Sequence, residues 1–440
     1  MEKIKAEKLS TQPYKGARDF YPEDMKIRNY IFNTWKQVCL SFGFEEYDFP
    51  IIEPLEIFAA KSGSEIVNDQ LFSFEDRGGR KLAVRPELTP GTVRMIAQKF
   101  EELPKPVRWF MIGNNWRFEK PQLGRGREFY QLEANIFGEA GATADFEIFS
   151  LIISLLKAFG AKQEQFSVRF SDRRLVAELL GNVLGLSEEL QTKVRRLMDK
   201  KGKLSQEDFD AALLDLGLKQ GQVDSVNKFL SSKFQDLPSI ISDELLNKNE
   251  GYLAIQKLVS LLKDAGLYEY CRFDPSIIRG FDYSDGFVYE VYDENPNNRR
   301  SLFGGERFDR LINIFGDYEL PATGFALGDY TFLEFLKNWN LLPKMENTID
   351  FLVTVWPSES DGYQKRAFEV ATKLRESGKN VVTWLGKSDK LEKQLKYADR
   401  KQIGKALIIG ETELKDGTVA VKDMIARSQE TVTLEKLLKL

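Results

Sequence analysis

The chain has 440 residues, a formal net charge of −4, 42% hydrophobic residues and 30% charged residues. This length predicts two or three folded domains, the composition excludes an intrinsically disordered protein, and the acidic balance means that any polyanion must meet a local basic patch. No residue is histidine, which excludes the commonest general base and metal ligand and leaves arginines, carboxylates, amides and hydroxyls to carry any chemistry.

Helical and alternating patterns follow one another through the first part of the chain. Apolar residues at helical spacing predict helices, at 23–42, 88–102 and 143–159. Alternation between turn signals predicts strands, at 70–74, 81–87, 108–119, 127–138 and 166–172. The two longest of these strands flank the basic stretch WRFEKPQLGRGREFYQ (116–131), which therefore spans a long hairpin loop.

The rest of the chain predicts a helical insertion and a second domain. Residues 173–265 are almost all helical by period and interrupt a mostly β region. Strand character returns after them, at 268–274, 286–293 and 301–305. A helix is expected to begin within 324–336, and the polar segment 338–348 is the best linker. Beyond it, strands and helices alternate as in a small α/β domain.

Targeting and metal-binding signals are not found in the sequence. No apolar run approaches the roughly 18–20 residues that a membrane helix needs, and the charged N-terminal segment lacks the apolar core of a signal peptide. We therefore expect a cytoplasmic protein. Cys39 and Cys271 form no metal-ligand spacing, so we expect idle thiols and no metal held by side chains alone.

The basic hairpin stretch is a candidate anion site. Its cations are Arg117, Lys120, Arg125 and Arg127. Guanidinium groups bind phosphate through two parallel hydrogen bonds, and Phe129 and Trp116 offer faces on which a base could stack. Glu119 would repel phosphate and is expected to accept from an amine or to orient an arginine. A solvated hairpin with surface ion pairs is an equally good interpretation of the spacing alone.

Four weaker motifs accompany the hairpin stretch. They are RPELTPGTVR (85–94), RGFDYSDGFVYE (279–290), FGGERFDRL (303–311) and PATGFALGDYTFLEF (321–335). Glu87 in the first could bind an ammonium group, although a helix start rich in turn residues explains that motif as well. Gly304 and Gly305 in the third would permit backbone approach to a ligand.

Taken in order, these motifs resemble those of the histidyl-tRNA synthetase family, which belongs to the class II aminoacyl-tRNA synthetases. The resemblance also includes KGARDFYP (15–22), GFEEYDFPIIEP (43–54), which is similar to the class II dimer-interface element, and residues 387–423, which resemble the family's anticodon-binding domain. It implies an α+β fold with a class II antiparallel sheet and helices. The implied domains are a catalytic domain at 1–337 with a helical insertion at 173–265, a linker at 338–348 and an α/β anticodon-binding domain at 349–440.

The resemblance implies that the chain activates histidine with ATP and Mg²⁺ to an adenylate and transfers it to the 3′ end of its tRNA, as a homodimer. Arg117 would hold the α-phosphate and Arg279 would face it from the opposite side, which makes these two the catalytic residues. Arg125 would lie near the γ-phosphate, Phe129 would stack on adenine and Glu119 would read the adenine amine.

Further residues are implied in substrate binding. The amino-acid site would include Glu87, Thr89, Gln131, Asn135, Arg279, Tyr283, Ser284 and Phe308. The tRNA acceptor end would meet Lys120, Gln122 and Arg127. The anticodon would face Lys387, Lys393, Lys396 and Arg400, although each of these is equally well explained as part of a solvated helix face.

Several positions depart from the family pattern. Asn135 stands where a carboxylate is usual, Ser284 and Phe308 replace tyrosines, and Glu306 replaces a glycine. Tyr330 and Thr331 stand where a Glu-Arg pair would supply an arginine for the γ-phosphate. The alternative is therefore a synthetase-like paralogue with altered amino-acid specificity or with a non-catalytic regulatory or tRNA-sensing role. A regulatory subunit of ATP phosphoribosyltransferase would lack the C-terminal domain that is present here.

Overall fold

The structure is a computed structural model that describes residues 9–59, 70–122, 124–278, 286–297, 301–345, 347–386 and 389–439. The chain divides into two compact units, Met1–Leu342 and Pro343–Leu440. The division falls inside the segment 338–348 that the sequence analysis proposes as a linker.

The first unit contains most of the secondary structure. Its strands are β1 (Glu45–Glu46), β2 (Ile52–Pro54), β3 (Phe72–Glu75), β4 (Lys81–Val84), β5 (Val107–Trp116), β6 (Glu128–Phe137), β7 (Phe166–Asp172), β8 (Cys271–Phe273), β9 (Phe287–Asp293), β10 (Ser301–Arg307) and β11 (Ala322–Gly328). Its α-helices are α1 (Pro22–Ser41), α2 (Leu55–Ala59), α3 (Thr89–Gln98), α4 (Ala142–Ala158), α5 (Arg173–Glu178), α6 (Glu188–Asp199), α7 (Gln206–Asp215), α8 (Gln220–Leu230), α9 (Asp243–Leu246), α10 (Glu250–Asp264) and α11 (Asp329–Asn338). Residues 173–265 form a succession of helices joined by short turns, as predicted, with a π-helical turn at Leu179–Val183.

Eight of the described strands form one sheet in the order β1-β5-β6-β11-β10-β9-β7-β8. The pairs from β5 to β7 are antiparallel, and the edge strands β1 and β8 join in parallel. This confirms the predicted antiparallel sheet. The strand predicted at 268–274 is wrong in its first half, because Tyr268–Tyr270 form a 3₁₀ turn and β8 starts at Cys271.

Strand β6 shows how the two faces of this sheet differ. Leu132, Ala134 and Ile136 are buried in the same core cluster as Ile148 and Phe149 of helix α4. Successive side chains of a strand point to opposite faces, so the odd-numbered residues from Phe129 to Asn135 point away from this core. One face of the sheet is thus packed with apolar side chains, and the other carries polar groups.

A buried ion pair joins the end of strand β10 to the start of helix α4. Arg307 Nε donates to Asp145 Oδ2 at 3.0 Å, and both residues are buried. The same guanidinium donates to the carbonyl oxygens of Gly141 at 2.8 Å and Glu139 at 3.3 Å. It therefore pairs with one oxygen of a buried carboxylate and satisfies two backbone carbonyl groups at once.

The second unit is a five-stranded sheet with flanking helices, as predicted for the C-terminal α/β domain. Its strands, in the sheet order β13-β12-β14-β15-β16, are Val381–Thr383, Phe351–Val353, Lys405–Ile408, Thr418–Asp423 and Gln429–Thr433. Its helices are α12 (Asp361–Glu376), α13 (Leu391–Arg400), α14 (Glu411–Asp416) and α15 (Leu434–Leu437). Strands β13, β12 and β14 are parallel, and β15 and β16 are antiparallel to their neighbours.

Gln394 ties helix α13 to the chain that leaves strand β12. Its side chain is fully buried. Its Oε1 accepts from the amide of Val355 at 2.9 Å, and its Nε2 donates to the carbonyl oxygens of Val355 at 2.7 Å and Asp389 at 3.0 Å. Gln394 belongs to KQLKYAD (393–399), within the segment 387–423 that resembles the anticodon-binding domain. Its role there is to hold the structure together.

Replacing Gln394 with alanine should destabilise the second unit by about 1–3 kcal/mol, because buried backbone groups would lose their partners. Hydrogen exchange of amides in β12 and α13 would measure the loss. Gln402→Ala, at an exposed position, is the control and should leave exchange in these elements unchanged. Unchanged protection in the Gln394 variant would contradict the role given to its amide.

Candidate active site

A cavity of about 690 Å³ opens on the polar face of the eight-stranded sheet. Gln131, Glu133 and Asn135 of β6 line it in succession. Asn135 pairs in register with Gly324 of β11, which pairs with Glu306 of β10, so these three form one row across the floor. Strand alternation therefore accounts for the three β6 residues of the lining, and the neighbouring strands β9, β10 and β11 contribute much of the rest.

A second cavity of about 200 Å³ adjoins the first. Arg117, Arg125, Gln131 and Ala326 line both cavities. Phe129 and Glu119 line only the smaller one, together with the start of helix α11 from Gly328 to Thr331. Two chemically different compartments thus meet beside two arginines.

Arg117 lies at this junction in a fixed orientation. Its Nε donates to the carbonyl oxygen of Pro86 at 2.9 Å, and its guanidinium carbon lies 5.1 Å from the centre of the Phe129 ring. The backbone bond occupies only one of the five N–H donors of the guanidinium. Arg117 is thereby held next to an aromatic face while still presenting donors to an anion.

Arg125 and Glu119 form an ion pair across the hairpin loop. Arg125 Nη1 lies 3.1 Å from Glu119 Oε2, and the side chain of Arg125 is 58% exposed. Orienting an arginine was one of the two roles that the sequence left open for Glu119. The exposed guanidinium can turn toward an anion because a surface ion pair of this kind holds it only weakly.

The N-terminal segment holds the same loop from outside. The amide of Arg127 donates to the carbonyl oxygen of Gly16 at 2.7 Å. The side chain of Arg127 donates to the carbonyl oxygen of Glu119 at 3.1 Å and lies 4.2 Å from the centre of the Phe118 ring. Arg127 therefore braces the hairpin, whereas Lys120 and Gln122 are exposed near its tip.

Arg18 reaches the start of helix α11. It lies close to Tyr330 and Thr331, which stand where the family pattern has a Glu-Arg pair. Its Nη2 lies 2.6 Å from Asp329 Oδ2, and its guanidinium carbon lies 3.5 Å from the centre of the Tyr330 ring. Burial raises the pKa of Asp329, although Arg18 opposes this effect. The Asp329 side chain also accepts from the amide of Tyr130 at 3.0 Å. The N-terminal segment thus supplies a cation beside the smaller cavity.

Gly126 leaves room for this arrangement. A Cβ atom at this position would lie 2.3 Å from the Tyr330 hydroxyl and 2.9 Å from the carbonyl oxygen of Gly16. Gly126→Ala should displace the loop and raise the KM for ATP about tenfold, equivalent to ~1.4 kcal/mol. We expect the KM for the amino acid to stay unchanged in ATP–pyrophosphate exchange. Gly221→Ala on helix α8, where a Cβ atom meets nothing within 4 Å, is the matched control, and an equal rise in both KM values would contradict the account.

Glu133 is a site residue that the sequence analysis missed. It is 1% exposed. Its Oε2 accepts from the Thr89 hydroxyl at 2.9 Å, and its Oε1 lies 3.1 Å from the Thr92 hydroxyl and accepts from Asn135 Nδ2 at 2.7 Å. The alternation that places Gln131 and Asn135 on one face also includes residue 133, so the period of the strand was a signal that could have found it.

The remaining predicted residues fall into two groups. Glu87, Thr89, Gln131, Asn135 and Phe308 all line the larger cavity. Arg279, Tyr283, Ser284 and Lys387 lie outside the described residues. The structure thus brings together every described member of the predicted amino-acid site.

Gln131 has its carbonyl oxygen engaged within the protein. Its Oε1 accepts from Asn115 Nδ2 at 2.8 Å. This bond directs the amide nitrogen of Gln131 away from Asn115. Gln131 can therefore offer N–H donors as well as its second carbonyl lone pair to a ligand.

The glycine pair on β10 also makes room inside the protein. A Cβ atom on Gly305 would lie 2.2 Å from the carbonyl oxygen of Gly324 and 2.4 Å from the Tyr289 hydroxyl. That hydroxyl donates to the same carbonyl oxygen at 2.7 Å, and burial raises the pKa of Tyr289 well above its ordinary value. Gly305 is therefore required by the packing of a tyrosine that stays protonated.

The described residues contain neither a membrane-spanning helix nor a cluster of metal ligands. No helix there has both the length and the hydrophobicity needed to span a bilayer. Within the same residues, no three or more Cys, Asp or Glu side chains are grouped so that they could hold a metal ion.

Comparisons with known proteins agree over almost the whole chain. The family model described as histidyl-tRNA synthetase matches residues 16–329, and the model described as anticodon binding domain matches residues 352–440. The histidine–tRNA ligase of Leptospira biflexa is 41% identical over 99% of this chain and 98% of its own length. The chloroplastic/mitochondrial histidine–tRNA ligase of Arabidopsis thaliana is 36% identical over 98% of this chain and 86% of its own length.

A solved structure shows the same fold. The histidyl-tRNA synthetase from Nostoc sp. PCC 7120 superposes with a TM-score of 0.81 at 20% identity, over 98% of this chain and 99% of that one. At this level of identity the similarity speaks for the fold alone.

The antiparallel sheet, the arginine-bearing β5–β6 hairpin and the C-terminal α/β unit define a class II aminoacyl-tRNA synthetase. The chain belongs to the histidyl-tRNA synthetase family. This confirms the predictions of the fold, of an aminoacyl-tRNA ligase and of histidine–tRNA ligase function. The alternative of a paralogue with altered specificity or a non-catalytic role finds no support in these relatives.

Proposed function

We propose that the two adjoining cavities bind histidine and ATP, join them as histidyl-adenylate, and present the product to the 3′ end of tRNA. The observation that carries this proposal is the junction itself. Arg117 and Arg125 line both cavities, so the carboxylate of an amino acid in one can meet the α-phosphate of a nucleotide in the other.

Adenylate formation is an in-line attack of a carboxylate on phosphorus, and little proton transfer is needed. Positioning and stabilisation of negative charge should therefore dominate catalysis. Arg117, held by the Pro86 carbonyl oxygen, stabilises the α-phosphate from one side, and Arg279 is proposed to do so from the other. A chain without histidine can meet these demands with arginines alone.

The smaller cavity is proposed to take the adenine end of the nucleotide, with the phosphates at the junction of the two cavities. Phe129 supplies an aromatic face for adenine, with Glu119 placed to read the adenine amine and Arg125 placed to turn toward the terminal phosphates. Gly124, Gly126 and Gly328 also line this cavity and present only backbone to it. Mg²⁺ would enter with ATP, bound through phosphate and water oxygens, and would neutralise charge on the leaving pyrophosphate.

The larger cavity fits the amino acid. Glu87, Thr89 and Gln131 would surround the α-ammonium group, while Asn135 and Phe308 would meet the imidazole ring together with Arg279, Tyr283 and Ser284. The described walls also contain the carboxylates of Glu290 and Glu306. An acidic cavity attracts an ammonium group and stabilises imidazole N–H donors.

The proposal includes tRNA, a second copy of the chain and the cytoplasm. Lys120 and Gln122 are exposed near the hairpin tip, where the acceptor end can approach, with Arg127 bracing the loop beneath them. Ile51, Ile52 and Phe74 are exposed on and beside the β2-β4-β3 sheet, which supports a homodimer through this region. Cys39 and Cys271 are free thiols, as expected in a reducing compartment.

The C-terminal unit is proposed to read the anticodon. Lys393 and Lys396 lie on helix α13, where they pair with Asp389 and Glu392 at 2.7 Å each, and Arg400 ends the helix. Exposed pairs of this kind are weak, so RNA phosphates can compete for the lysines. Binding that weakens as salt concentration rises would support these contacts.

Amino-acid-dependent ATP–pyrophosphate exchange tests the proposed function. Histidine should support exchange, and the other standard amino acids should support it at least two orders of magnitude less well, because a site built for imidazole hydrogen bonds rejects side chains that lack them. Absence of exchange with every amino acid would refute adenylate formation. Exchange with a different amino acid alone would refute the assignment of histidine.

A further inference from the structure

We propose that Glu133 is a positioning residue for histidine selection. It holds the amide nitrogen of Asn135 so that the amide oxygen becomes the acceptor for an imidazole N–H. This inference rests on the proposed function, because it concerns which group the larger cavity offers to the ring. It explains how an amide can occupy the position at which the family resemblance implies a carboxylate.

The orientation of Glu133 is fixed before any ligand enters. The hydroxyl of Thr89 donates to its Oε2 at 2.9 Å, and the hydroxyl of Thr92 lies 3.1 Å from its Oε1. Both threonines belong to helix α3, so a rigid element rather than a loop sets the carboxylate. The hydroxyl of Tyr47 contacts Thr92, and burial raises the pKa of Tyr47 well above its ordinary value, so this neighbour remains a donor.

The orientation of Asn135 follows from that of Glu133. A carboxylate oxygen only accepts, so the group that faces it at 2.7 Å must be the amide nitrogen of Asn135. Turning the amide over would bring two oxygen acceptors together. The bond to Glu133 thus determines which end of Asn135 is left for the cavity.

The glycine in the next strand makes room for the amide oxygen. A Cβ atom on Gly324 would lie 1.9 Å from Asn135 Oδ1, so this oxygen rests directly over the glycine backbone. Gly324 and Asn135 are register partners, and both line the larger cavity. The acceptor is therefore held on the cavity floor, next to the space in which a ring would lie.

This arrangement selects for a ring that carries an N–H. An acceptor held on the cavity floor forms a hydrogen bond with a ligand that has an N–H donor. A ligand that has no donor leaves this oxygen unpaired and therefore binds less tightly. Glu133 contributes negative charge one hydrogen bond further away, which strengthens the amide oxygen as an acceptor through polarisation. The pair Glu133–Asn135 thereby presents a hydrogen-bond acceptor to the ring, as a carboxylate would, while the negative charge stays on Glu133.

Swapping the carboxylate and the amide between positions 133 and 135 tests the inference in the whole 440-residue chain. The variants are Glu133→Gln, Asn135→Asp and the double variant, compared by the KM for histidine and the KM for ATP in ATP–pyrophosphate exchange. Glu133→Gln lets the Asn135 amide turn, and Asn135→Asp sets two carboxylates against each other. We expect each single change to raise the KM for histidine about tenfold or more. In the double variant a carboxylate at 135 again faces an amide donor at 133, so the KM should return to within about threefold of the wild type.

The KM for ATP separates positioning from damage to the fold, because Glu133 does not line the smaller cavity. It should change less than about twofold in all three variants, while a general distortion of β6 would raise both constants. Additive losses in the double variant, or an unchanged KM for histidine in Glu133→Gln, would overturn the inference while leaving the proposed function intact. A wild-type protein that shows no exchange with histidine would overturn the proposed function and this inference together.

Discussion

Replacing Arg117 with alanine is expected to lower histidine-dependent ATP–pyrophosphate exchange by roughly 10²- to 10³-fold, the range seen when one preorganised donor is removed from a developing negative charge. Arg117 is the best-placed candidate in the described part of the chain because it lines both cavities and is anchored by the carbonyl oxygen of Pro86 at 2.9 Å. The loss should appear mainly in kcat, since the charge grows in the transition state.

Three further measurements test whether the loss comes from the Arg117 guanidinium itself. Arg117→Lys keeps the charge and loses the planar fork, so it should recover only part of the activity. Arg108→Ala removes a partly exposed arginine that pairs with Glu147 at 2.9 Å, away from the two cavities, and should change exchange by less than about twofold. Affinity for tRNA, measured by filter binding, should stay unchanged in Arg117→Ala. If the exchange rate of Arg117→Ala stayed within tenfold of the wild-type rate, the placement of the α-phosphate against Arg117 would be wrong.

Replacing Arg307 with methionine is expected to destabilise the first unit by about 3–5 kcal/mol, because it leaves the buried carboxylate of Asp145 without its partner. The guanidinium satisfies that carboxylate at 3.0 Å and also the carbonyl oxygens of Gly141 and Glu139. Hydrogen exchange of the amides of helix α4 should therefore lose about two orders of magnitude of protection or more. The floor of the larger cavity should loosen with it, since β10 ends at Arg307.

A second substitution separates the unpaired charge from the loss of packing. Asp145→Asn combined with Arg307→Met removes both charges from the interior and should regain about 1–3 kcal/mol relative to Arg307→Met alone. Arg310→Met, three residues further along and exposed, serves as the control and should leave α4 protected. Asp145→Asn alone completes the cycle. If the losses of the two single variants simply add in the double variant, the ion pair contributes nothing beyond its packing.

The local chemistry of the site could be predicted from the sequence because much of it lies on one hairpin. Arg117, Phe129, Gln131 and Asn135 fall within a stretch of 116–135, and strand alternation fixes which of them share a face. Glu133 was missed although it obeys the same alternation. Glu133 lies between Gln131 and Asn135 on the same strand face, and this position alone is enough to predict it as a site residue.

Other parts of the site depend on contacts that no local pattern contains. Arg18 meets Asp329 across 311 positions of sequence, and only the fold brings the N-terminal segment to the start of helix α11. Gly305 was interpreted as space for a ligand, whereas a Cβ atom there would first meet the carbonyl oxygen of Gly324 and the Tyr289 hydroxyl. This close packing becomes apparent only from the register of β9, β10 and β11. The 3₁₀ turn at Tyr268–Tyr270 replaced a predicted strand because two tyrosines flanking a glutamate do not determine the backbone hydrogen bonds on their own.

The proposed function places adenine, phosphate and imidazole in sequence on one polar face of the sheet, along strand β6. A crystal structure of the full chain with a non-hydrolysable histidyl-adenylate analogue tests this most directly. We expect adenine against Phe129, the phosphate mimic on Arg117, and an imidazole N–H donating to Asn135 Oδ1, with Glu133 still bound to the amide nitrogen. An imidazole ring that contacts Glu306 or another wall instead, with Asn135 turned away, would contradict it.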